Sequence, residues 1–423
     1  MGVERRGGIK QPARLPQLGS VQEEGGVTAK PFRINKRRFV EAYRLVKANA
    51  GSAGIDRQSL EDFESNLKDN LYRLWNRMSS GSYMPPPVKG VAIPKKSGGT
   101  RMLGVPTVAD RVAQMVVKLE FEPSVEAVFL PDSYGYRPGK SAHQAIAVTR
   151  RRCWDFDWVL EFDIKGLFDN IPHDLLLKAV ERHTTDPWVL LYMRRWLTAP
   201  IQLPSGETVA RTAGTPQGGV ISPVLANLFL HYVFDKWLHK RYPHVLWCRY
   251  ADDGLIHCTS EKQAQYLLRV IRVRFQQCGL ELHPEKTQIV YCKDGRRRGT
   301  YRATSFDFLG YTFRRRGCHD PATGGMKLGF VPAVSKMALK AMRQTIRKMR
   351  IRMCTSMSLE QLADWCNPML RGWIAYYGAF YRSELYGLCR HFNKTLVRWA
   401  MRKFRYLRGR KTKGCRSRTG IKN

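Results

Sequence analysis

Two neighbouring carboxylates in the segment LWCRYADDGLIHC are the residues of this chain best suited to metal chemistry. Asp252 and Asp253 lie between two short apolar runs, which predict the arms of a β-hairpin with the acids at its turn. Asp163 ends another apolar run, in DWVLEFDIKGLFDNI, where strand alternation places it on one face with Glu161. Converging carboxylates repel one another unless divalent cations neutralise them. Two Mg²⁺ ions about 4 Å apart would stabilise the attacking and leaving oxygens of a phosphoryl transfer.

A plain structural interpretation of Asp252 and Asp253 also exists. Aspartate favours turns, because its side chain caps nearby backbone amides. Convergence with Asp163 is what separates the two interpretations, since a turn needs no third acid from a distant strand.

The net charge indicates a polyanionic partner. The 423 residues carry 72 Lys and Arg against 35 Asp and Glu, a formal charge of +37, and such a chain repels itself unless a polyanion or its counterions lie against it. Nucleic acid is the natural candidate. The competing partner is a membrane surface, but the basic residues spread over the whole length instead of clustering at one amphipathic or lipidated end.

Cysteine usage and hydropathy bear on the compartment. The ten cysteines include no C-x-x-C pair, which favours a reducing environment over a disulfide framework. The first residues contain no apolar signal-peptide core, and no uninterrupted run of 18 apolar residues occurs. We therefore expect a cytoplasmic protein of the bacterial cytosol or nucleoid, with no membrane partner.

The elements that position the acids alternate between helices and short strands. After a lead-in at 1–30, Phe39, Ala42, Tyr43 and Val46 share one helix face. A hairpin with a turn at Ser97–Gly99 follows. Further helices are predicted over 60–78, 108–121, from 141, and over 174–182, 188–197 and 261–278, and strands over 245–250, 255–258, 280–290 and 305–313. After these strands the chain becomes almost wholly helical and basic.

Seven motifs in a fixed order resemble the group II intron-encoded reverse transcriptase and maturase family. They are IPKKSGGTRMLGVPTVADRVAQ, SYGYRPGKSAHQA, FDIKGLFDNI, GTPQGGVISPVLANLFL, YADD, FLGYTF and RGWIAYYG, and they lie within residues 35–400. The resemblance implies an α+β right-hand polymerase. It implies a helical N-terminal extension at 31–85, fingers and palm with an antiparallel sheet at 86–320, an all-helical thumb or maturase-specific domain at 330–395, and a basic nucleic-acid-binding tail at 396–423.

The same resemblance implies the activity and its partners. We expect an RNA-directed DNA polymerase that uses two Mg²⁺ ions, with Mn²⁺ as a substitute, and that takes dNTPs, an RNA template with a DNA primer, a group II intron RNA and a DNA target. Splicing assistance and intron mobility by target-primed reverse transcription would follow. Many family members continue into a Cys-rich HNH endonuclease domain, whereas this chain stops at Asn423. We therefore expect no second-strand cleavage and another source of primer.

Two rival functions stay open at this point. One is an RNA-binding splicing factor with an idle polymerase centre, against which the three aspartates argue, since a pure binder gains nothing from clustered buried charge. The other is a related polymerase domesticated for defence or repair, which would share every catalytic motif and differ in its RNA partner.

By resemblance, Asp163, Asp252 and Asp253 are the catalytic acids and metal ligands. In similar polymerases the backbone carbonyl of the residue after the first aspartate also faces a metal, and in this chain that residue is Ile164.

Resemblance also assigns nucleotide-binding residues. Lys95 and Arg101 would clamp the triphosphate, Arg through paired hydrogen bonds and Lys as a point charge; the alternative is a solvated hairpin tip. Phe168 would exclude a 2′-OH beneath the sugar, or is a core residue. Gln217 would lie against nucleotide and template, and Lys286 beside the active site, with a surface lysine as the alternative. Arg137 resembles a position near the nucleotide, and an ordinary structural arginine is equally plausible.

The nucleic-acid contacts fall later in the chain. Gly310 and Tyr311 match the turn that grips the primer. Between 334 and 352 there is no acid, and one helix face carries basic residues beside an apolar row. We expect that face to contact RNA phosphates through Lys336, Lys340, Arg343 and Arg347.

Overall fold

The structure is a computed structural model that describes residues 30–94, 99–319 and 324–407. Its helices are α1 Lys36–Ala48, α2 Leu60–Ser65, α3 Leu67–Ser79, α4 Val108–Glu126, α5 Ala142–Asp155, α6 Leu167–Asn170, α7 His173–Val180, α8 Pro187–Thr198, α9 Ser222–Leu230, α10 Lys236–Arg241, α11 Glu261–Gln277, α12 Lys336–Lys348, α13 Leu359–Tyr377 and α14 Tyr386–Lys403. Its strands are β1 Val88–Pro94, β2 Thr100–Val105, β3 Trp158–Asp163, β4 Ile201–Gln202, β5 Thr208–Val209, β6 Leu246–Tyr250, β7 Asp253–Cys258, β8 Gln288–Tyr291, β9 Ser305–Phe308, β10 Tyr311–His319 and β11 Met326–Val334.

The N-terminal helices pack against α4. The predicted face of α1 is confirmed, because Phe39, Ala42, Tyr43 and Val46 are all buried. The helix predicted over 60–78 is instead two helices, since the chain breaks between α2 and α3 at Asn66, whose φ and ψ of −124° and 42° are not helical. Residues 1–29 of the predicted lead-in at 1–30 lie outside the described residues.

The fingers carry a sheet of order β2-β1-β4-β5, in which the predicted β1–β2 hairpin is antiparallel and β1 runs parallel to β4. The hairpin turn itself, residues 95–98, lies outside the described residues.

The palm is an antiparallel sheet of order β6-β7-β3-β8. One face of β3, from Trp158 to Ile164, lies in the main core, where the Phe162 ring contacts Phe234 and Phe275 at centroid distances of 5.1 and 5.8 Å. The opposite face carries Val159 into a second core beneath α5. The alternation that the sequence predicts for this strand is therefore confirmed.

A three-stranded sheet of order β11-β10-β9 follows the palm. The prediction of a strand over 280–290 is wrong for its first part, because residues 284–286 form a turn that begins at Pro284 and only β8 is a strand. Strand β11 was not predicted, and it occupies residues 330–334 of the segment expected to be all helical. It is an edge strand, which explains why Pro332 is tolerated within it.

The thumb consists of α12, α13 and α14 around a small apolar core. Met342 and Ile346 of α12, Leu362 and Cys366 of α13, and Trp399 of α14 are buried there. Because α14 runs unbroken to Lys403, residues 396–403 belong to this helix and not to a separate tail; residues 408–423 lie outside the described part of the chain. Within the described residues, no helix has the length and apolar character needed to cross a bilayer.

Candidate active site

The turn between β6 and β7 carries two of the three predicted acids. Tyr250 pairs with Asp253 across the hairpin, so that Ala251 and Asp252 form the turn. Ala251 has a φ of 55°, a left-handed conformation that costs a non-glycine residue roughly 1–2 kcal/mol. Something in the surrounding structure must therefore hold this turn.

Asp163 lies directly across from Asp253. The register of β3 and β7 pairs these two residues at the ends of their strands, and the Asp163 side chain is largely buried. Asp252 precedes Asp253 in the turn. The structure thus brings all three acids to one edge of the palm sheet.

Burial and mutual repulsion act on these carboxyls. The pKa of Asp252 is raised by burial and then by the charge of Asp163. The pKa of Asp253 is raised well above its ordinary value by burial, and further by the charges of Asp252, Asp163 and Glu161. Burial also raises the pKa of Glu161 to about 7, although a hydrogen bond from Gln288 opposes it. Ionising all of these groups together is unfavourable unless cations compensate.

Lys286 is the cation that the structure places here. Its Nζ contacts Oδ2 of Asp163. Burial alone would lower the pKa of Lys286, but the hydrogen bond to Asp163 and the charges of the three aspartates outweigh burial and raise it. The backbone N–H of His283 donates to the carbonyl of Asp163 at 2.8 Å, which ties the Lys286 turn to the end of β3. The expected position beside the active site is therefore observed, and the nucleotide contact stays a prediction.

The donor set fits a divalent cation in its chemistry. Asp163, Asp252 and Asp253 supply the oxygen ligands that Mg²⁺ prefers. With Asp163 turned to Lys286, however, no three His, Cys, Asp or Glu side chains within 30–94, 99–319 and 324–407 lie close enough to hold one ion. Metal binding by all three acids would therefore require these side chains to move closer together.

The backbone at Ile164 also bears on this site. Ile164 forms an isolated bridge with Leu282, whose hydrogen bonds use the carbonyls of Asp163 and Glu281. The bridge therefore does not use the Ile164 carbonyl, and its role as a metal ligand stays a prediction.

The predicted fingertip cations are only partly described. Arg101 is exposed and pairs with Ile93 where the β1–β2 hairpin opens towards its tip. Lys95 lies outside the described residues. Contact of either side chain with a triphosphate stays a prediction.

Phe168 on α6 is half-buried against the main core, and contact of its ring with a nucleotide sugar stays a prediction. Its carbonyl accepts a hydrogen bond from Thr215 N at 2.7 Å, and Gly214 N donates to Ile171 O at 2.8 Å. Gly214 has a φ of 78°, and a Cβ there would collide with the Phe168 carbonyl oxygen and lie 2.7 Å from the carbonyl carbon and oxygen of Asp169. The GTPQGG loop and α6 thus meet in a backbone contact that glycine permits.

Gln217 connects three elements of this region. Its carbonyl accepts from Gly104 N of β2 at 2.8 Å, and its Nε2 lies 3.4 Å from Oδ2 of Asp169 on α6. Its side chain is partly exposed. The predicted contacts with nucleotide and template stay predictions.

The turn between β9 and β10 has the geometry of a two-residue hairpin. Leu309 and Gly310 have φ values of 51° and 81°, and such turns favour positive φ at both positions. The Tyr311 side chain is fully buried and its hydroxyl donates to the carbonyl of Tyr376, while the Tyr376 hydroxyl donates to Leu309 O at 2.9 Å. The Tyr311 ring is therefore enclosed by the protein, and contact of this turn with a primer stays a prediction.

Further aromatic contacts join the thumb to this turn. The His143 ring of α5 stacks on Tyr376 at a centroid distance of 4.9 Å, and its Nε2 lies 2.8 Å from Tyr376 O. A Cβ at Gly310 would lie 3.0 Å from the Tyr377 hydroxyl oxygen. We call Tyr311, Tyr376, Tyr377 and His143 the tyrosine hub.

The predicted basic face of α12 is present. Lys336, Lys340 and Arg347 are exposed, Arg343 is half-buried, and none of the four pairs with an acid among the described residues. The face continues onto α14, which sequence analysis did not anticipate. The pKa of His391 on α14 is lowered by burial and then by the charges of its basic neighbours Arg347, Arg343, Arg398 and Lys394.

Two arginines of this region belong to ion pairs that were not predicted. Arg249, in the middle of the apolar run LWCRY, is fully buried with Asp235; a charge inside a buried strand was the signal. Arg137 is structural, because it pairs with Glu126 and donates to the carbonyls of Leu130 and Ser133 at 2.7 Å each.

Known proteins share these features. Residues 93–313 match the family Reverse transcriptase (RNA-dependent DNA polymerase), and residues 339–417 match Group II intron, maturase-specific domain. Protein YkfC of Escherichia coli (strain K12) is 31% identical over 318 residues, which cover 66% of this chain and 80% of YkfC.

Other relatives are matched over a smaller share of their length. Group II intron-encoded protein LtrA of Lactococcus lactis subsp. cremoris is 34% identical over 203 residues, 47% of this chain but 33% of LtrA. The matched segment is therefore about a third of that relative. Among solved structures, telomerase from Candida albicans in complex with a fragment of telomeric RNA aligns with a TM-score of 0.44 at 13% identity, covering 81% of this chain and 64% of that one.

Proposed function

Because the chain belongs to the reverse transcriptase (RNA-dependent DNA polymerase) family and carries a group II intron maturase-specific domain, we propose that it extends a DNA primer on an RNA template. The observation that supports this most directly is the placement of Asp163 opposite Asp253 and beside Asp252 at one edge of the palm sheet. We further propose that it binds a group II intron RNA, assists its splicing and supports its mobility by target-primed reverse transcription into DNA.

The proposed step transfers one nucleotide. The 3′ hydroxyl of the primer loses its proton to solvent, its oxygen bonds to the α-phosphorus of the dNTP, and the bond from that phosphorus to the bridging oxygen breaks to release pyrophosphate. Two Mg²⁺ ions, or Mn²⁺ in their place, would supply charge stabilisation for the attacking and leaving oxygens. Asp163, Asp252 and Asp253 would hold these ions, together with the Ile164 carbonyl.

Side chains around the acids have separate tasks in this proposal. Lys286 contacts Oδ2 of Asp163, so its ammonium would lie close enough to the acids to meet the triphosphate or the leaving pyrophosphate as a point charge. Lys95 and Arg101 would hold the triphosphate from the fingers. Phe168 and Gln217 lie on two segments that contact each other through backbone hydrogen bonds, so that they can line a nucleotide site together.

Intron RNA would bind on a different surface. Lys336, Lys340, Arg343 and Arg347 form a face of the thumb without acidic partners among the described residues, and phosphate contacts of this type make affinity salt-dependent. The three aspartates contribute nothing to that face. RNA binding and DNA synthesis should therefore be separable by mutation.

The polymerase test is extension of a DNA primer on an RNA template with dNTPs and Mg²⁺. We expect Asp252→Asn and EDTA each to abolish extension. The matched control is Asp155→Asn, the same substitution at an exposed carboxylate at the end of α5, which should extend normally. Extension that survives EDTA or Asp252→Asn would contradict the proposed centre.

The RNA test uses a salt series on group II intron RNA. Replacing the four basic residues of α12 with Gln should weaken binding and reduce the slope of log affinity against log salt by up to about one per lost phosphate contact. Asp252→Asn should bind RNA normally. If Asp252→Asn lost RNA binding as severely as extension, the cleft itself would be the main RNA anchor.

A further inference from the structure

Arg249 is a charged side chain buried in the middle of β6, three residues before Asp252. Its guanidinium is fully buried and all of its hydrogen-bonding nitrogens have partners. Nε and Nη2 donate to the two carboxylate oxygens of Asp235 at 2.8 and 2.6 Å, and Nη2 also donates to Ser133 Oγ at 2.8 Å. Nη1 donates to Asn227 Oδ1 and to the carbonyl of Ala251, both at 3.0 Å.

Stability alone does not explain a buried ion pair of this kind. Desolvation of the two charges offsets most of their attraction, and apolar residues of similar volume often stabilise a core as well or better. Besides its bonds to Asn227 and Ser133, the pair supplies a donor to the Ala251 carbonyl, which an apolar pair cannot. That carbonyl lies in the turn that carries the catalytic acids.

The backbone that packs behind this turn belongs to the same hydrogen-bond network, through Asn227. Asn227 donates from Nδ2 to the carbonyl of Gly135 at 2.6 Å while it accepts from Arg249. A Cβ at Gly135 would collide with Ala251 N and lie 3.1 Å from the carbonyl carbon of Tyr250. The turn is therefore held from behind by the Gly135 backbone and from its carbonyl by Arg249, which accounts for the left-handed φ of Ala251.

We propose that Arg249 and Asp235 are positioning residues of the polymerase centre, which fix the Ala251 carbonyl and thereby the direction in which Asp252 and Asp253 reach towards Asp163. Neither side chain meets the reacting atoms. The inference rests on the proposed function, since it concerns the same acids. It assigns the ion pair a task in catalysis in addition to folding.

The test separates positioning from stability with a double apolar substitution. Arg249→Met and Asp235→Leu each leave one uncompensated buried charge and should lower the melting temperature, whereas the double variant removes both charges and should melt above either single variant. It still lacks the donor to Ala251. We therefore expect kcat for extension to stay at least about tenfold below wild type in the double variant, with little change in KM for dNTP and a higher Mg²⁺ requirement.

The matched control is the ion pair of Arg152 and Asp132. Arg152 donates to both carboxylate oxygens of Asp132 at 2.9 and 2.8 Å and to a carbonyl of the same strand, that of Trp247, at 2.6 Å. Arg152 thus also joins an aspartate and a carbonyl of β6, but it lies on α5, its carbonyl partner is outside the turn, and the pair is less buried, with side-chain exposures of 13% for Arg152 and 24% for Asp132. Arg152→Met with Asp132→Leu should change the melting temperature without the loss of kcat or the shift in Mg²⁺ requirement.

Mn²⁺ binding to the free protein, followed by electron paramagnetic resonance, provides a measurement that is independent of turnover. Wild type should bind Mn²⁺ more tightly than the double variant, and the Arg152 control should match wild type. Should the double variant misfold, Arg249→Lys keeps the charge but cannot reach Asp235 and Ala251 with paired donors, and it should show the same loss of affinity.

The outcomes distinguish the two levels of the proposal. Extension and Mn²⁺ affinity in the double variant or in Arg249→Lys equal to wild type would overturn the positioning role while leaving the polymerase intact. A wild type that binds Mn²⁺ but does not extend would contradict the proposed function alone. A wild type that does neither would contradict both.

Discussion

Replacing Gly214 with alanine tests whether the contact between the GTPQGG loop and α6 sets the nucleotide site. Gly214 has a φ of 78°, and the added Cβ would meet the Phe168 carbonyl oxygen and the carbonyl group of Asp169. These are backbone atoms, so relief requires the loop and α6 to separate. We expect lower stability, slower extension and a weaker preference for dNTP over NTP, because Phe168 moves with its backbone.

The magnitude follows from two contributions. A left-handed alanine costs roughly 1–2 kcal/mol, and forcing a methyl group into a filled site costs typically about 1–3 kcal/mol more. The reduced entropy of the unfolded chain returns about 0.4–1 kcal/mol. The net loss in free energy of unfolding should therefore be about 1–4 kcal/mol.

Gly206 provides the matched control. It has a φ of 90°, and a Cβ there would meet nothing within 4 Å. Gly206→Ala thus carries the conformational cost without the collision, and should lose at most about 1.6 kcal/mol while extending normally. Denaturant unfolding and extension with dNTP or NTP are measured on both variants, with Phe168→Ala as the reference for a lost gate. Equal stabilities and an unchanged dNTP preference in Gly214→Ala would refute the reasoning.

Two further predictions follow from the raised pKa values. Asp253→Asn should abolish extension yet raise the melting temperature of the metal-free protein at neutral pH. The reason is that it removes a carboxyl group whose pKa is raised by burial and by the charges of Asp252, Asp163 and Glu161. Mg²⁺ should then raise the melting temperature of wild type more than that of the variant, and an equal rise would contradict the metal site. The pKa of Glu161 rises from 4.5 to about 7 on folding, so the folded state holds its proton where the unfolded chain has lost it, and stability falls as pH rises from about 4.5 to 7. Glu161→Gln should therefore exceed wild type in free energy of unfolding by up to roughly 3 kcal/mol at pH 8 and by much less at pH 5, and a constant difference at both pH values would show that burial of this charge is not the cause.

The N-terminal helices and the palm strands could be predicted mainly from the local periodicity of apolar residues. Phe39, Ala42, Tyr43 and Val46 recur with helical spacing, and the residues of β3 alternate between two cores, so each pattern reports one buried face. The hairpin that carries Asp252 and Asp253 was predictable for the same reason, since its arms are short apolar runs on either side of two acids.

Elements without such a pattern were missed. In β11 the run MKLGFVPAV has no alternation, because its last residues are all buried and its first are exposed. Its pairing with β10 is what makes it a strand. At the other end of the thumb, the abundance of basic residues hid the apolar spacing of Leu388, Phe392 and Trp399, which places residues 396–403 within α14.

Site residues could be predicted from sequence where their own type and position indicate the chemistry. They could not be predicted where their role depends on a contact with a residue far away in the sequence. Two aspartates at a hairpin turn and a third at the end of another strand indicate metal chemistry once the strands are expected to converge. Lys286, by contrast, meets Asp163 across 123 residues of sequence, and Arg249 meets Ser133 across 116. Tertiary packing decides such pairs, and no local spacing encodes them.

The tyrosine hub couples the position of the thumb to that of the β9–β10 turn. The chain leaves this turn through β10 and β11 to enter α12, and α13 returns to it, where the Tyr376 hydroxyl meets Leu309 O. A swing of the thumb must therefore either break that hydrogen bond or drag the turn along. A displacement of the thumb is thus transmitted to a turn that lies beside the palm.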